Sequence, residues 1–148
     1  MSRLEQLYQE MILDHNRNPR HFESLAHPTH TAFGKNPLCG DEYHLELGVK
    51  NGVITSIGFQ GTGCAISKSS ASLMSTVVLG KSIEEARAMK DAFLSLLTSE
   101  VLAPGSADLG KLKIFEGVKK YPARVKCAAL IWRALEAALA GVCEISTE

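Results

Sequence analysis

The feature that most constrains this chain is a pair of alternating apolar runs separated by a short turn sequence. Apolar residues occupy every second position from Tyr43 to Val49, and Val53, Thr55, Ile57 and Phe59 form a second alternating set. Alternation with a period of two predicts β-strands with one buried face. The intervening "KNG" predicts that the two strands form a hairpin.

The length of the hairpin loop decides whether the two apolar sets share a face of the sheet. A two-residue turn at Asn51 and Gly52 would pair Lys50 with Val53 and would put the two sets on opposite faces. A three-residue loop from Lys50 to Gly52 pairs Val49 with Val53, and the faces then agree. We therefore expect the three-residue loop, with Gly52 in the left-handed conformation as a bulge.

The other elements follow from helical periodicity, capping signals and breakers. The sequence predicts a first helix that ends by Asn18 and a third strand near residues 30–36. After the hairpin it predicts a small-residue helix closed by Gly80 and a helix opened by the capping box of Ser82 and Glu85. A loop over residues 99–110, a short helix near residues 115–121 and a last helix from Pro122 to about Ala140 complete the chain. This order predicts an α+β fold, with helices packed on one face of a small three-stranded antiparallel sheet. We expect one domain over residues 1–148, with residues 141–148 a mobile tail.

Composition excludes several classes of function. The 148 residues include 16 Lys and Arg and 16 Asp and Glu, so the basic excess of a typical nucleic-acid binder is absent. No apolar run is long enough to span a bilayer, and the N-terminus lacks the apolar core of a signal peptide. We therefore expect a cytoplasmic protein without nucleic-acid or membrane partners. In that reducing compartment, the four cysteines are expected as thiols or metal ligands.

Three of the cysteines lie at informative places on this map. Cys39 precedes the hairpin and Cys64 follows it, and a hairpin begins and ends at the same edge of a sheet. Cys39 and Cys64 are therefore expected near each other in space. Cys127 lies in the first turns of the last helix. Cys143 lies in the expected tail, and we assign it no role.

The neighbours of each thiol suggest reactive rather than inert cysteines. Gly40 separates Cys39 from Asp41, so both side chains can turn toward one point. Gly63 precedes Cys64 at the start of a helix, and amides at a helix N-terminus favour thiolate. Cys127 follows the cations Arg124 and Lys126, which also favour thiolate.

Three thiolates and the Asp41 carboxylate make a four-coordinate zinc site plausible, and thiolates equally suit an iron–sulfur cluster. The plainer interpretations stay open at this point. A lone cysteine is usually a small buried apolar side chain, and an aspartate such as Asp41 is more often a turn residue. No C-x-x-C pair sharpens the pattern. The five histidines show no metal spacing and are expected at the surface or in loops.

The motifs "NPLCGD", "GTGCAISKSSASLMS" and "KCAALIWRALEAAL" together resemble the U-type iron–sulfur cluster assembly proteins, which are IscU, SufU and the N-terminal domain of NifU. The resemblance covers the chain from the first helix to about residue 140. It implies that Cys39, Asp41, Cys64 and Cys127 converge at one solvent-accessible end of a SufU/IscU-like fold.

Two departures from IscU resemble the SufU branch. Lys126 stands where IscU has a histidine, and the segment of residues 98–125 is longer than in IscU-like chains. SufU-like proteins bind zinc and accept sulfur from a SufS-type cysteine desulfurase, with Cys39 the implied acceptor here. The alternative is a scaffold on which a [2Fe–2S] cluster is built and passed to downstream apoproteins. A purely structural zinc domain ranks last.

Overall fold

The computed structural model describes residues 2–98 and 108–146. Its elements are helix α1 (Arg3–Arg17), strands β1 (His30–Asn36), β2 (Asp41–Lys50) and β3 (Val53–Thr62), helices α2 (Ala65–Val78) and α3 (Ile83–Thr98), a 3₁₀ helix (Gly110–Lys120), helix α4 (Pro122–Ala140) and strand β4 (Glu144–Ser146). The predicted loop over residues 99–110 lies mostly outside the described residues. The α+β class is confirmed.

The prediction of a three-stranded antiparallel sheet is wrong. The sheet has four strands in the order β3-β2-β1-β4, and β4 is parallel to β1. Pairing of Phe33 with Glu144 and of Lys35 with Ser146 defines this extra edge strand. Three residues are too few to show a period in the sequence. The expected tail therefore contains a paired strand, and mobility of its end stays a prediction.

The predicted three-residue hairpin loop is also wrong. Lys50 pairs with Val53, and both Asn51 and Gly52 have positive φ, at 53° and 74°. Two consecutive residues of this kind define a type I′ turn. The prediction that Gly52 is left-handed is confirmed, but the loop has two residues.

A two-residue turn alone would put the apolar residues of β2 and β3 on opposite faces of the sheet. A β-bulge returns them to the same face. Val49 pairs with Ile54, whereas Gly48 pairs with Ser56, so the residue between them on β3 is extra. Beyond this bulge the register has moved by one residue, which places Leu47 opposite Ile57. The inward faces of β2 and β3 therefore agree, as the alternation required.

The α-helices follow the predicted boundaries closely, because their ends carry explicit signals. The short helix predicted near residues 115–121 is instead the longer 3₁₀ helix, which begins at Gly110. The capping box is confirmed, since the Ser82 N–H donates to the Glu85 carboxylate and the Glu85 N–H to the Ser82 hydroxyl, both at 3.1 Å. Pro122 is the first residue of α4, and Gly141 ends it with a φ of 78°. No helix in the described parts of the chain has the length and apolarity needed to cross a membrane.

Helix α4 forms the centre of the core. Trp132 is fully buried and stacks on Phe93 of α3, with ring centroids 4.7 Å apart. Gly34 of β1 lets α4 approach the sheet closely, since a Cβ there would lie 3.3 Å from the Leu130 side chain. Cys127 enters the fold on this same helix, so its position is fixed by packing.

Helix α2 is held by hydrogen bonds from its buried serines as well as by buried apolar side chains such as Leu73 and Met74. The Ser70 hydroxyl donates to the Ala128 carbonyl and accepts from the Trp132 indole, which joins α2 to α4. On the other side, His15 of α1 bonds to the Ser72 hydroxyl at 2.7 Å. His15 is buried, so the prediction that all five histidines lie at the surface or in loops is wrong for this residue.

Candidate metal centre

The β1–β2 turn presents Cys39 at the surface and Asp41 below it. The amides of Cys39 and Gly40 both donate to the Asn36 carbonyl, and Gly40 has a φ of 75°. A φ in that range is easily adopted by glycine, which has no Cβ. Asp41 is the first residue of β2 and is 2% exposed, whereas Cys39 is exposed.

The end of β3 lies next to this turn and carries Cys64. Glu42 pairs with Thr62, so the chain leaves the sheet beside Asp41 and enters α2 there. Cys64 is the N-cap of α2, and its sulfur accepts the Ser67 N–H at 3.4 Å. The strand register thus places Cys64 beside the β1–β2 turn.

Helix α4 supplies the third thiol. The Cys127 sulfur is 3.6 Å from the Cys39 sulfur, although 88 positions separate the two residues in the chain. The donor atoms of Cys39, Asp41 and Cys127 lie within 4.8 Å of one another. The Cys64 sulfur is outside that group of three but lies 3.8 Å from Asp41 Oδ2.

These separations fit a tetrahedral zinc ion. Two sulfurs at the usual Zn–S distance lie about 3.8 Å apart in tetrahedral geometry, and a sulfur and a carboxylate oxygen lie about 3.6 Å apart. The Cys39–Cys127 and Cys64–Asp41 distances are close to those two values. Three thiols and a carboxylate are also ligands that zinc accepts. The residues present therefore fit zinc without a change of fold.

The two oxygens of Asp41 have different partners. Oδ1 accepts the Cys64 backbone N–H at 3.0 Å, whereas Oδ2 faces the Cys64 sulfur. Oδ1 is thus engaged in joining β2 to the start of α2. Oδ2 is the oxygen free to bind a metal, so Asp41 would be a monodentate ligand.

A buried hydrogen-bonded layer supports these residues from below. The Tyr43 hydroxyl bonds to the Ser67 hydroxyl at 2.9 Å, and Ser67 donates to the Cys64 carbonyl at 3.1 Å. Gly63 lies against this layer, and an added Cβ would be 2.5 Å from the Tyr43 hydroxyl and 2.9 Å from Asp41 Oδ1. Gly63 is therefore the residue that leaves room for the carboxylate.

Sequence reasoning missed the supporting roles of Tyr43 and Ser67. Tyr43 was assigned only to the apolar face of the hairpin, and its hydroxyl gave no periodic signal. Ser67 stands three residues after Cys64, which is the spacing between an N-cap and the amide that it caps. That spacing could have identified Ser67 as a partner of the Cys64 sulfur.

The electrostatics of Cys127 differ from the prediction. Burial raises the pKa of the Cys127 thiol, and the nearby Cys64 and Asp41 charges and hydrogen bonds to Cys39 and Cys64 add to the effect. The neighbouring cations do not offset this, so without metal the thiol form is favoured. Burial likewise raises the pKa of Tyr43, which keeps its phenol neutral as a hydrogen-bond partner.

The remaining predicted residues lie around the site or away from it. Arg124 and Lys126 are exposed near the start of α4, and Lys126 also lines a groove of about 930 Å³ between α3, α4 and β4. Cys143 is exposed just before β4, and its carbonyl accepts the Phe33 N–H. Cys143 is not one of the cysteines that cluster with Asp41.

Comparison with known proteins places this chain in one family. Residues 7–128 match the NifU-like N-terminal domain, and the chain belongs to that family. Its relatives include the zinc-dependent sulfurtransferase SufU of Bacillus subtilis, which is 37% identical over 93% of this chain and 92% of its own length. The iron–sulfur cluster assembly scaffold protein IscU of Streptococcus pyogenes is also 37% identical, over 94% of this chain and 86% of its own.

A solved structure supports the same placement. FiSufU of Fervidobacterium islandicum, assigned as an iron–sulfur cluster assembly scaffold of the SUF system, superimposes with a TM-score of 0.83 at 32% identity. The match covers 91% of this chain and 98% of that one. FiSufU thus shares nearly the whole fold with this chain.

Proposed function

We propose that this protein acts in iron–sulfur cluster biogenesis as a zinc-bound sulfur acceptor. It would take persulfide sulfur from a SufS-type cysteine desulfurase in the cytoplasm and pass it on for cluster assembly. The observation that carries this proposal is the exposed Cys39 sulfur, which lies 3.6 Å from the buried Cys127 sulfur. One thiol of the group can therefore reach a partner while the others stay anchored. The similarity to SufU of Bacillus subtilis supports zinc over iron.

Cys39, Cys64, Cys127 and Asp41 Oδ2 would hold the zinc ion. Zinc would supply the positive charge that keeps these thiols deprotonated near neutral pH. This matters most for Cys127, because burial otherwise raises its pKa. Three thiolates and one carboxylate around Zn²⁺ leave a net charge of about −2. The cations Arg124 and Lys126, close in sequence to Cys127, would offset part of that charge.

The transfer step is a thiol–persulfide exchange at Cys39. The Cys39 thiolate attacks the terminal sulfur of the donor persulfide, and a new S–S bond forms on Cys39. The S–S bond of the donor breaks, and the donor cysteine leaves as a thiolate. One thiolate is consumed and one is released, so the exchange needs no oxidant or reductant.

Replacement of Cys39 by Ala tests the acceptor assignment. We expect Cys39→Ala to lose stimulation of a cysteine desulfurase and to gain no persulfide, measured by sulfide release and by mass. Cys143→Ala is the matched control, because Cys143 is also exposed but lies away from the other three cysteines. We expect this variant to behave as wild type. A fully active Cys39→Ala variant would reject the assignment. Metal and sulfide analysis of the purified protein should give one zinc and no sulfide.

A scaffold role is the second candidate, and the carboxylate is the observation that favours it. A carboxylate matches iron–sulfur chemistry less well than a thiolate, so a cluster held partly by Asp41 should leave readily. We expect Asp41→Ala to prolong the lifetime of a reconstituted cluster, followed by visible absorbance. Asp41→Asn is the control, because its amide oxygen can still accept the Cys64 N–H. An unchanged lifetime in Asp41→Ala would count against the scaffold role.

A further inference from the structure

Four cations cluster where the 3₁₀ helix meets α4. Lys119, Lys120, Arg124 and Lys126 lie within eight residues, and all except the half-buried Lys119 are exposed. Residues 117–135 contain no aspartate or glutamate, although the whole chain has equal numbers of acidic and basic residues. Positive charge is therefore concentrated at the start of the helix that carries Cys127.

These four side chains have no salt bridge with any residue that the structure describes. Four cations elsewhere do have such partners: Arg20 pairs with Asp14, Lys35 with Glu144, Lys90 with Asp91 and Glu136, and Arg133 with Glu136. Other cations, such as Lys50 and Lys81, are also unpaired among the described residues, so what distinguishes this cluster is the density of unpaired positive charge along the chain.

Helix stability does not explain the cluster either. Lys119 and Lys120 end the 3₁₀ helix, where the partial negative charge of the helix terminus favours cations. Arg124, however, lies in the first turn of α4, where the partial positive charge of the helix N-terminus is unfavourable for a cation. That turn has no acidic residue, and Tyr121 makes no side-chain cap. Charge compensation at the metal site could account for Arg124 and Lys126, but it does not extend to the lysine pair.

The same end of α4 also exposes apolar surface near the reactive thiol. Tyr121 is 62% exposed directly between the lysine pair and α4, and Leu38 is 75% exposed beside Cys39 in the chain. Exposed aromatic and arginine side chains are enriched in the parts of protein surfaces that bind other proteins. A charged cluster with an exposed aromatic residue fits a docking surface.

We propose that Lys119, Lys120, Arg124 and Lys126 form a docking surface for an acidic face of the protein that donates the persulfide. This inference rests on the proposed function, because a persulfide carried by another protein must be brought to Cys39. The complex that transfers sulfur must then cover the surface around the thiols. Opposite charges on the two faces would raise the rate of encounter by about 10-fold or more at low ionic strength.

The test reverses the charge of the lysine pair, which is not assigned to the metal site. We compare Lys119→Glu/Lys120→Glu with Lys50→Glu/Lys81→Glu, a control that changes net charge equally near the β2–β3 turn. A SufS-type cysteine desulfurase is titrated with each protein, and both binding and KM for sulfur acceptance are measured at low and high salt.

We expect the Lys119/Lys120 variant to raise KM about 10-fold at low salt with little change in kcat. The control should match wild type, and high salt should shrink the difference. Zinc content and circular dichroism verify that both variants are folded.

The outcomes separate this inference from the proposed function. A wild type that binds the desulfurase in a salt-dependent manner but accepts no sulfur defeats only the proposed function. A wild type that accepts sulfur, with both variants at its KM, overturns only the docking surface. A wild type that neither binds nor accepts sulfur overturns both. If the lysine variant loses binding to random-sequence duplex DNA but keeps its desulfurase KM, the surface serves a polyanion and the inference is wrong.

Discussion

Gly63 shows how a single missing side chain can define a ligand position. Its Cα faces the Tyr43 and Ser67 hydroxyls and Asp41 Oδ1, so a methyl group there has no space. The sequence marked Gly63 only as a residue before a helix. Its close contact with three polar groups depends on β2 and α2 coming together, which local sequence does not encode.

We expect Gly63→Ala to destabilise the protein by about 1–3 kcal/mol, because the added methyl overpacks a buried polar layer. The Asp41 carboxylate would be displaced as well, so zinc affinity should fall. Urea unfolding of the metal-free protein and competition with a chromogenic chelator measure the two effects. Gly117→Ala is the control, since a Cβ at Gly117 meets nothing within 4 Å. Equal zinc affinity in the two variants would disprove the role given to Gly63.

The candidate ligands could be predicted from the sequence, because a thiol or a carboxylate can bind metal as a single side chain. Cys39, Cys64, Cys127 and Asp41 could be proposed as ligands from residue type and from the hairpin between the first two cysteines. The electrostatic prediction for Cys127 failed for a physical reason. Its neighbours in the chain are cations, but in space its sulfur is buried and lies next to other thiols and the Asp41 carboxylate.

At the scale of elements, Cys64 has two functions that can be separated. Its sulfur is a candidate metal ligand, and it also caps α2 by accepting the Ser67 N–H. Serine is a good N-cap, whereas alanine is a poor one. We expect the metal-free Cys64→Ser variant to be more stable than Cys64→Ala by about 1 kcal/mol, measured by urea unfolding. Both variants should lose high-affinity zinc. Equal stability of the two would show that the cap contributes nothing.

The elements themselves were predictable to different degrees. Helix ends with explicit signals, such as Ser82 with Glu85 and Pro122 with Gly141, appear at the predicted places. The β2–β3 loop was predicted with one residue too many. The bulge between Ile54 and Ser56 also makes the inward faces of the two strands agree, although the register differs from that of the predicted loop. Both arrangements are compatible with the same alternation of apolar residues. The pattern therefore fixes the face but cannot choose between them.

At the scale of the whole molecule, the candidate site lies outside the main core. None of Cys39, Asp41, Cys64 and Cys127 belongs to the main core cluster of the described residues. That cluster joins the sheet to α2, α3 and α4 without any of the candidate ligands. The site is therefore built on a fold that can stand without it, which weakens the interpretation as a purely structural zinc domain.

We expect chelation of zinc to leave a folded protein of lower stability. Zinc present at about 1,000 times its Kd would add roughly 4 kcal/mol. Its removal should lower Tm by about 10 °C in a domain of this size. Far-UV circular dichroism should change little below the new Tm, and desulfurase stimulation should be lost. Cooperative loss of the helical signal on chelation at room temperature would instead support the structural zinc domain.

Strand β4 has a practical consequence for how the protein is handled. Because β4 runs parallel to β1, Ser146 pairs with Lys35 at the end of the sheet that leads to Cys39. Anything joined to the chain after β4 therefore starts on the side of the molecule that holds the thiols. A polyhistidine tag fused there would bring imidazoles, which are good zinc ligands, into competition with the native donors. A tag placed before α1 attaches to a helix that contributes no candidate ligand, and metal analyses should use that form.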